Sequence, residues 1–369
     1  MSIVIPTYGR LDLITSLLNS IREDAKHVDF EVEILLVDDS EEPAAAAIRA
    51  VAISLGATVV DAPSHSVGGN RNHGALLARY DLILFLDSDV KLRPGTLKAH
   101  FDSLGRAPES VAGCLGKVVF TGRETYAWRV VQAMQLTLPF SYPDFLDNVP
   151  WGPTANISMR RGPFFSVGGF DTTLPKYGGE DVDLGLRLAR NGFRIMTSRN
   201  AVAEHAIETW STWRQNIPRL WSYGLADFNL LMRHPDRSFV DFPTGPMLWT
   251  GQLLLLACLF AAGLITLQSA GAALGASVVS YPVVYAWFKR KDGRGFLVHL
   301  LGPIVFWTMD AAKAWESLWR CRPSLIFRRL RFLDDLISQD WIEIAASAWA
   351  LSASAILFLG TLMLMEILK

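Results

Sequence analysis

The chain has 369 residues, 50% hydrophobic and 19% charged, with a mean hydropathy of +0.24. That is too apolar for an ordinary soluble domain of this length and predicts membrane segments. A formal net charge of −1 leaves no global basic field for nucleic acid, and Cys114, Cys258 and Cys321 are too widely spaced for a zinc motif or a disulfide framework.

The N-terminus opens on a strand-like run, Ser2-Ile3-Val4-Ile5, with no basic segment and apolar stretch of a secretory signal. The N-terminal domain is therefore expected to stay in the cytosol. Strands are predicted at residues 2–5, 32–37, 58–60, 82–86 and 111–115. Helices are predicted between them at 11–21, 43–55, 72–78 and 94–104. The alternation predicts one α/β domain over residues 1–240.

Polar motifs fall where such a sheet ends its strands. The first strand leads into Pro6-Thr7-Tyr8 and the second into Asp38-Asp39-Ser40. A carboxylate there accepts hydrogen bonds from a base or ribose, or simply caps a loop. Gly68-Gly69-Asn70-Arg71-Asn72-His73-Gly74 follows the third strand. Its glycines permit close backbone approach and Arg71 offers a fork to phosphate, although an Asn-rich helix cap explains it equally well. The G-x-G-x-x-G spacing of a dinucleotide site is absent.

Leu82-Ile83-Leu84-Phe85-Leu86 then runs straight into Asp87-Ser88-Asp89. Five apolar residues read as a buried strand of a parallel sheet, and open α/β sheets bind ligands at the carboxyl ends of their strands. Two carboxylates one residue apart suit a divalent cation, and the cation suits a diphosphate. A capped turn is the plain alternative.

Further along, Tyr177-Gly178-Gly179-Glu180-Asp181 opens an amphipathic helix. Acidic residues at a helix N-terminus are favoured by the dipole, which predicts a low pKa and an ionised Asp181 at pH 7. His205 lies 24 residues beyond Asp181, after the strand-like Ala201-Val202. A lone histidine is more often structural than a ligand.

After Pro246 the composition changes. Residues 247–267, 271–288 and 344–365 are uncharged for 21, 18 and 22 residues. Each could cross about 30 Å of hydrocarbon as a helix. Gln268-Ser269-Ala270 is expected to form a tight hairpin between the first two, and Lys289, Arg290, Lys291 and Arg294 place its far end in the cytoplasm. Residues 296–338 are expected to be interfacial, with Ile326, Leu330, Leu333 and Ile337 along one face of a helix. Residues 241–369 thus read as a membrane domain.

Asp38-Asp39-Ser40, Gly69…Arg71-Asn72…Gly74, Asp87-Ser88-Asp89, Trp151-Gly152-Pro153-Thr154-Ala155-Asn156, Gly168-Gly169-Phe170-Asp171 and Glu180-Asp181 occur in one order. That order and spacing resemble the family 2 glycosyltransferases over about residues 1–235. The resemblance implies a GT-A (Rossmann-like) nucleotide-sugar domain, here followed by C-terminal transmembrane helices. It implies inverting transfer from a nucleoside-diphosphate sugar. Asp87 and Asp89 resemble the D-x-D motif that holds Mn²⁺ or Mg²⁺, and His205 a third metal ligand. Asp181 resembles the catalytic base. Thr7, Tyr8, Asp39, Arg71 and Asp87 resemble nucleotide contacts, and Trp151 to Asn156, with Glu180, the sugar and acceptor region.

The resemblance has a departure. Processive relatives carry Q-x-x-R-W, whereas here Gln215-Asn216-Ile217-Pro218-Arg219-Leu220-Trp221 has the wrong spacing and a proline. Single-sugar transfer is therefore expected, with Arg219 and Trp221 on the acceptor side or simply packed inward. Tyr223-Gly224…Arg233-His234-Pro235 is similar to a membrane subgroup that includes mycofactocin-type glycosyltransferases. The expected acceptor is lipid-linked, a glycan or peptide-derived, at the cytosolic face of the cell membrane. A processive polysaccharide synthase and a non-catalytic membrane scaffold are the competing readings.

Overall fold

The computed structural model describes residues 1–63, 65–174, 178–240, 245–333 and 341–368. Its strands, in chain order, are β1 Ser2–Thr7, β2 Glu33–Asp38, β3 Thr58–Asp61, β4 Leu82–Leu86, β5 Val90–Leu92, β6 Val111–Thr121, β7 Asn148–Val149, β8 Asn156–Arg160, β9 Arg194–Ala206, β10 Ser238–Val240 and β11 Arg328–Leu330. The helices of the N-terminal part are α1 Leu11–Ala25, α2 Ala44–Ser54, α3 Val67–Leu77, α4 Thr96–Arg106, α5 Tyr126–Ala133, α6 Arg161–Ser166 and α7 Glu180–Arg190. Then come α8 Trp213–Arg233, α9 Gly245–Ala261, α10 Leu267–Lys289, α11 Phe296–Leu301, α12 Pro303–Trp319 and α13 Trp341–Ile367.

The chain divides into two units. The first holds Met1–Glu124, Thr137–Trp210 and a short return at Phe332. The second holds Thr125–Leu136, Ser211–Arg331 and the described part of α13. The division falls at Trp210 rather than at 240, so Arg219 and Trp221, both on α8, belong to the second unit.

The first unit is built on one mixed sheet in the order β3-β2-β1-β4-β8-β6-β9-β5, with β7 on β9. The predicted parallel half is present: β1 pairs in parallel with β2 and β4, and β2 with β3. The expected fully parallel setting of β4 is not. Its other neighbour, β8, is antiparallel, with Leu86 opposite Asn156. Ile3, Ile5, Leu36, Leu84 and Leu86 are fully buried and meet Ile14, Leu17 and Leu18 of α1. That spacing puts the apolar stripe of α1 on the sheet.

The helix predicted at 72–78 takes in Gly68 to Arg71 as well. Ser66 caps α3 by accepting from the Gly69 N–H, so the helix starts five residues earlier than expected. A Cβ at Gly74 would lie 2.4 Å from Val4 Cγ1, so glycine lets α3 press onto β1. At Gly185 in α7, a Cβ would lie 2.4 Å from the Pro150 carbonyl oxygen and 2.5 Å from Trp151 Cβ. Gly→Ala inside a helix ordinarily gains about 1 kcal/mol. Here overpacking against rigid backbone, about 1–3 kcal/mol, should reverse the sign. Gly185→Ala is therefore predicted to lower the urea midpoint; a raised midpoint would contradict this packing.

In the second unit, α10 is long and apolar enough to cross a membrane, as is Ser347–Met365 within α13. Val279, Trp287, Ile356 and Met363 on these helices are exposed. Ser277 of α10 and Ser354 of α13 are buried and 2.6 Å apart, a polar clasp between the two. The first predicted span is shorter than expected, because α9 ends at Ala261 and Gly263 takes φ +70°. The turn lies there and not at Gln268-Ser269-Ala270, which are helical: Thr266 and Ser269 cap α10 reciprocally.

The expected interfacial helix through Ile326 and Leu330 is also corrected. Arg328–Leu330 is a strand, antiparallel to Ser238–Val240. Pro323 lies just upstream, and pairing satisfies the backbone that a helix would otherwise satisfy internally. Ile337 lies outside the described residues. On α8, Gln215 caps the helix with Thr212, and Gly224 is where the α12 backbone passes; a Cβ there would lie 2.0 Å from the Met309 carbonyl oxygen. Lys313 of α12 is buried and pairs with Asp227 of α8 at 3.0 Å.

Candidate functional site

The buried strand β4 delivers Asp87 at its carboxyl end, and the turn into β5 delivers Asp89. β5 lies antiparallel on β9, with Val90 opposite His205. The Ala206 N–H donates to the Asp89 carbonyl at 3.2 Å and fixes the turn against β9. One ligand atom each from Asp87, Asp89 and His205 all lie within 4.8 Å of one another. Residues 118 positions apart in sequence thus share one site because β5 and β9 are neighbours.

His205 is buried, with Phe120 at 5.0 Å and Phe140 at 6.2 Å between ring centres. Its Nδ1 is 3.1 Å from the Ala206 carbonyl oxygen, which can only accept, so the proton belongs on Nδ1. In the neutral ring that leaves a lone pair on Nε2, 3.3 Å from Asp89 Oδ1. A lone pair facing a carboxylate oxygen is repulsive unless a cation sits between them or Nε2 gains a proton. Two carboxylates and one imidazole nitrogen therefore fit a divalent metal such as Mn²⁺ or Mg²⁺.

Arg71, from α3, links this cluster to the acidic pair on α7. It is 3% exposed and donates to Asp87 Oδ1 at 2.6 Å and Glu180 Oε1 at 3.0 Å. Burial opposes its charge, but Asp87 and Glu180 outweigh that and hold its pKa above the ordinary value. Phe170 lies under the guanidinium at 5.6 Å. Asn72 holds Phe170 in place, donating to its carbonyl and accepting its N–H, each at 2.8 Å. The Gly168-Gly169-Phe170-Asp171 motif is thus a support for Arg71. Glu180, expected in the sugar and acceptor region, has its carboxylate on Arg71 instead.

Asp181 follows Glu180 in the first turn of α7, after Gly179 at φ +95°. It accepts the Val182 N–H at 2.8 Å. The low pKa expected from the helix dipole does not hold: burial, then the adjacent Glu180 charge, raise the carboxyl to about 7.

Of the residues expected to contact the nucleotide, Thr7, Tyr8 and Asp39 lie at the ends of β1 and β2. Thr7 is buried, and its Oγ1 has no protein partner among the described residues. Tyr8 is 60% exposed. The Asp39 N–H donates to the Thr7 carbonyl at 2.9 Å, and its carboxylate pairs with the exposed His65 at 2.7 Å. Trp151 is buried on α7, and its Nε1 has no partner among the described residues. Asn156 is removed from the sugar and acceptor set. It is fully buried, accepts from His100 Nε2 through its Oδ1 at 2.9 Å, and donates to the Lys117 and Ala201 carbonyls. Its register on a central strand turns it into the sheet's interior. Tyr177 lies outside the described residues.

One site residue escapes the sequence reading. Arg10 Nη1 donates to Asp89 Oδ2 at 2.8 Å. A basic residue directly after the first strand's Thr7-Tyr8-Gly9 end was the available signal.

Residues 2–164 match the family model described as "Glycosyl transferase family 2", and residues 150–208 match "N-terminal domain of galactosyltransferase". Validoxylamine A glucosyltransferase of Streptomyces hygroscopicus subsp. jinggangensis is 32% identical over 54% of this chain and 54% of its own length. Pre-mycofactocin glycosyltransferase of Mycobacterium tuberculosis is 28% identical over 71% of this chain and 53% of its own. The chain spans about half the length of these curated relatives. A mannosyltransferase from Pyrobaculum calidifontis, solved with GDP-Man and Mn²⁺, superposes with a TM-score of 0.53 at 18% identity, over 85% of this chain and 87% of that one. That likeness shows a shared fold.

Proposed function

We propose that this chain, which belongs to glycosyl transferase family 2 through residues 2–164, transfers a single sugar from a nucleoside-diphosphate donor to a hydroxyl of a membrane-proximal acceptor, with inversion. One observation carries the reading: Asp87, Asp89 and His205 converge on a single cation site, and Arg71 ties that site to the helix bearing Asp181.

Asp87, Asp89 and His205 would hold the metal, which when bound neutralises charge on the departing diphosphate. Thr7, Tyr8 and Asp39 would contact the nucleoside. Arg71, pinned by two carboxylates, holds the geometry between donor and base. Asp181 takes the acceptor proton as the hydroxyl attacks. A carboxyl near 7 suits this, because a base works best with a pKa near the operating pH. One base suffices, since the metal assists departure; a hydrolase would need carboxylates on both sides of the bond.

The exposed apolar faces of α10 and α13 support a membrane-bound chain. Lys289, Arg290, Lys291 and Arg294 at the end of α10 favour a cytoplasmic active site. A lipid-linked, glycan or peptide-derived acceptor then meets the site at the bilayer.

The test is a thermal-shift panel of nucleotide sugars with Mn²⁺, GDP-mannose included, followed by the mass of any product. A donor present at 100 times its Kd should stabilise by about 2.7 kcal/mol. If no nucleotide sugar shifts the transition and none is hydrolysed or transferred, the reading fails. A ladder of product masses would instead favour a polymerising enzyme.

A further inference from the structure

Arg10 and Arg71 both bond to carboxylates of the cation site, but they are held differently. Arg71 is 3% exposed and has two acidic partners. The Arg10 side chain is 47% exposed, and Asp89, itself 10% exposed, is its single carboxylate partner among the described residues. Arg10 also stands at the N-cap of α1 with φ +59° and ψ +48°, directly after Gly9 at φ +64°. A left-handed conformation is unfavourable for any residue with a Cβ, and such backbone concentrates at sites that use it.

The two oxygens of Asp89 are both engaged: Oδ2 by Arg10 at 2.8 Å, Oδ1 opposite His205 Nε2 at 3.3 Å. A divalent cation drawing on Asp89 competes with the Arg10 guanidinium for the same carboxylate charge. Once released, Arg10 is a planar fork on a half-exposed stem, and a diphosphate is the anion its geometry matches.

We propose that Arg10 is an exchangeable counter-cation of Asp89: it yields Asp89 to a divalent metal and passes to the diphosphate that arrives with it. This rests on the cation site assigned above. Metal and diphosphate then bind with positive coupling, because each supplies what the other's binding leaves unpaired.

The test uses the full chain in detergent, with Mn²⁺ alone and then inorganic pyrophosphate added to the Mn²⁺-loaded protein. Free Mn²⁺ is read by electron paramagnetic resonance and pyrophosphate binding by calorimetry, neither requiring turnover. Arg10→Gln should bind Mn²⁺ alone about tenfold tighter, within the usual range of coupling effects. The loaded variant should bind pyrophosphate more weakly than the loaded parent. Arg10→Lys keeps the charge and should leave Mn²⁺ affinity near that of the parent, which controls for folding. Unchanged or weaker Mn²⁺ binding by Arg10→Gln would overturn the exchange and leave Arg10 as a fixed support of Asp89. No Mn²⁺ binding by the parent chain would overturn the cation site itself, a distinct result.

Discussion

Asp181→Asn is expected to lower turnover by about 10²–10⁴, the usual worth of general-base assistance, while donor binding persists. Asparagine keeps the shape and an oxygen for the Val182 N–H, so the start of α7 survives and the loss reports the missing base. The pH profile sharpens the test. With the Asp181 carboxyl at about 7, kcat/KM of the parent should rise with pH through an ionisation near 7 and then level off. The variant should lack that limb. If Asp181→Asn turns over at the parent rate, or keeps the limb, another group is the base.

The same carboxyl makes a stability prediction of fixed sign. Its folded pKa lies above the unfolded value of 3.8, so the folded chain holds this proton more tightly. The associated stability is fully present below about 3.8 and is lost as pH rises through about 7. Asp181→Asn should therefore melt near the parent at pH 4 and above it at pH 8. A variant that melts lower than the parent at pH 8 would show that Asp181 is not paying a burial cost. A more stable but less active variant is the expected outcome where strain serves function.

The second large effect is metal removal. Chelation with EDTA is expected to abolish transfer, and added Mn²⁺ to restore it more fully than Mg²⁺, since one donor is an imidazole nitrogen. Asp89→Ala should reduce both activity and Mn²⁺ binding to background, because it removes one of the three candidate ligands. Full activity in a metal-stripped sample would remove the role assigned to Asp87, Asp89 and His205. Retained Mn²⁺ binding in Asp89→Ala would move the site elsewhere.

How much of this was legible in the sequence follows from the range of each interaction. Asp87 and Asp89 were readable because five apolar residues end where the acids begin, and a buried strand must expose its next polar residues at the sheet edge. The long apolar helices α10 and α13 were readable because an uncharged run of that length is visible in the sequence itself. The turn between α9 and α10 was misplaced, because Gly263 and the Thr266–Ser269 cap act within an apolar background that hides them. The strand at Arg328–Leu330 looked helical because its pairing partner, Ser238–Val240, is 90 residues away.

The site shows the same division. The order of motifs alone identified Asp181 and His205 as candidates. Asn156 looked like a ligand contact because its segment does. Only the antiparallel insertion of β8 beside β4 reveals that its side chain faces the buried His100 of α4. The helix dipole promised an ionised Asp181, but burial, a property of packing, wins with the help of the adjacent Glu180 charge.

Local pattern, then, determined by itself the α/β class, the acidic strand end, the order of the motifs and the apolar helices, since each depends on residues within a few positions of one another. Tertiary structure alone decided that β4, β5 and β9 bring two aspartates and a histidine within 4.8 Å, that Arg71 is clamped between Asp87 and Glu180, and that Arg10 rests on Asp89. Those facts depend on which strands neighbour which. Strand order is set by the burial of the whole sheet, and no short window of sequence contains it.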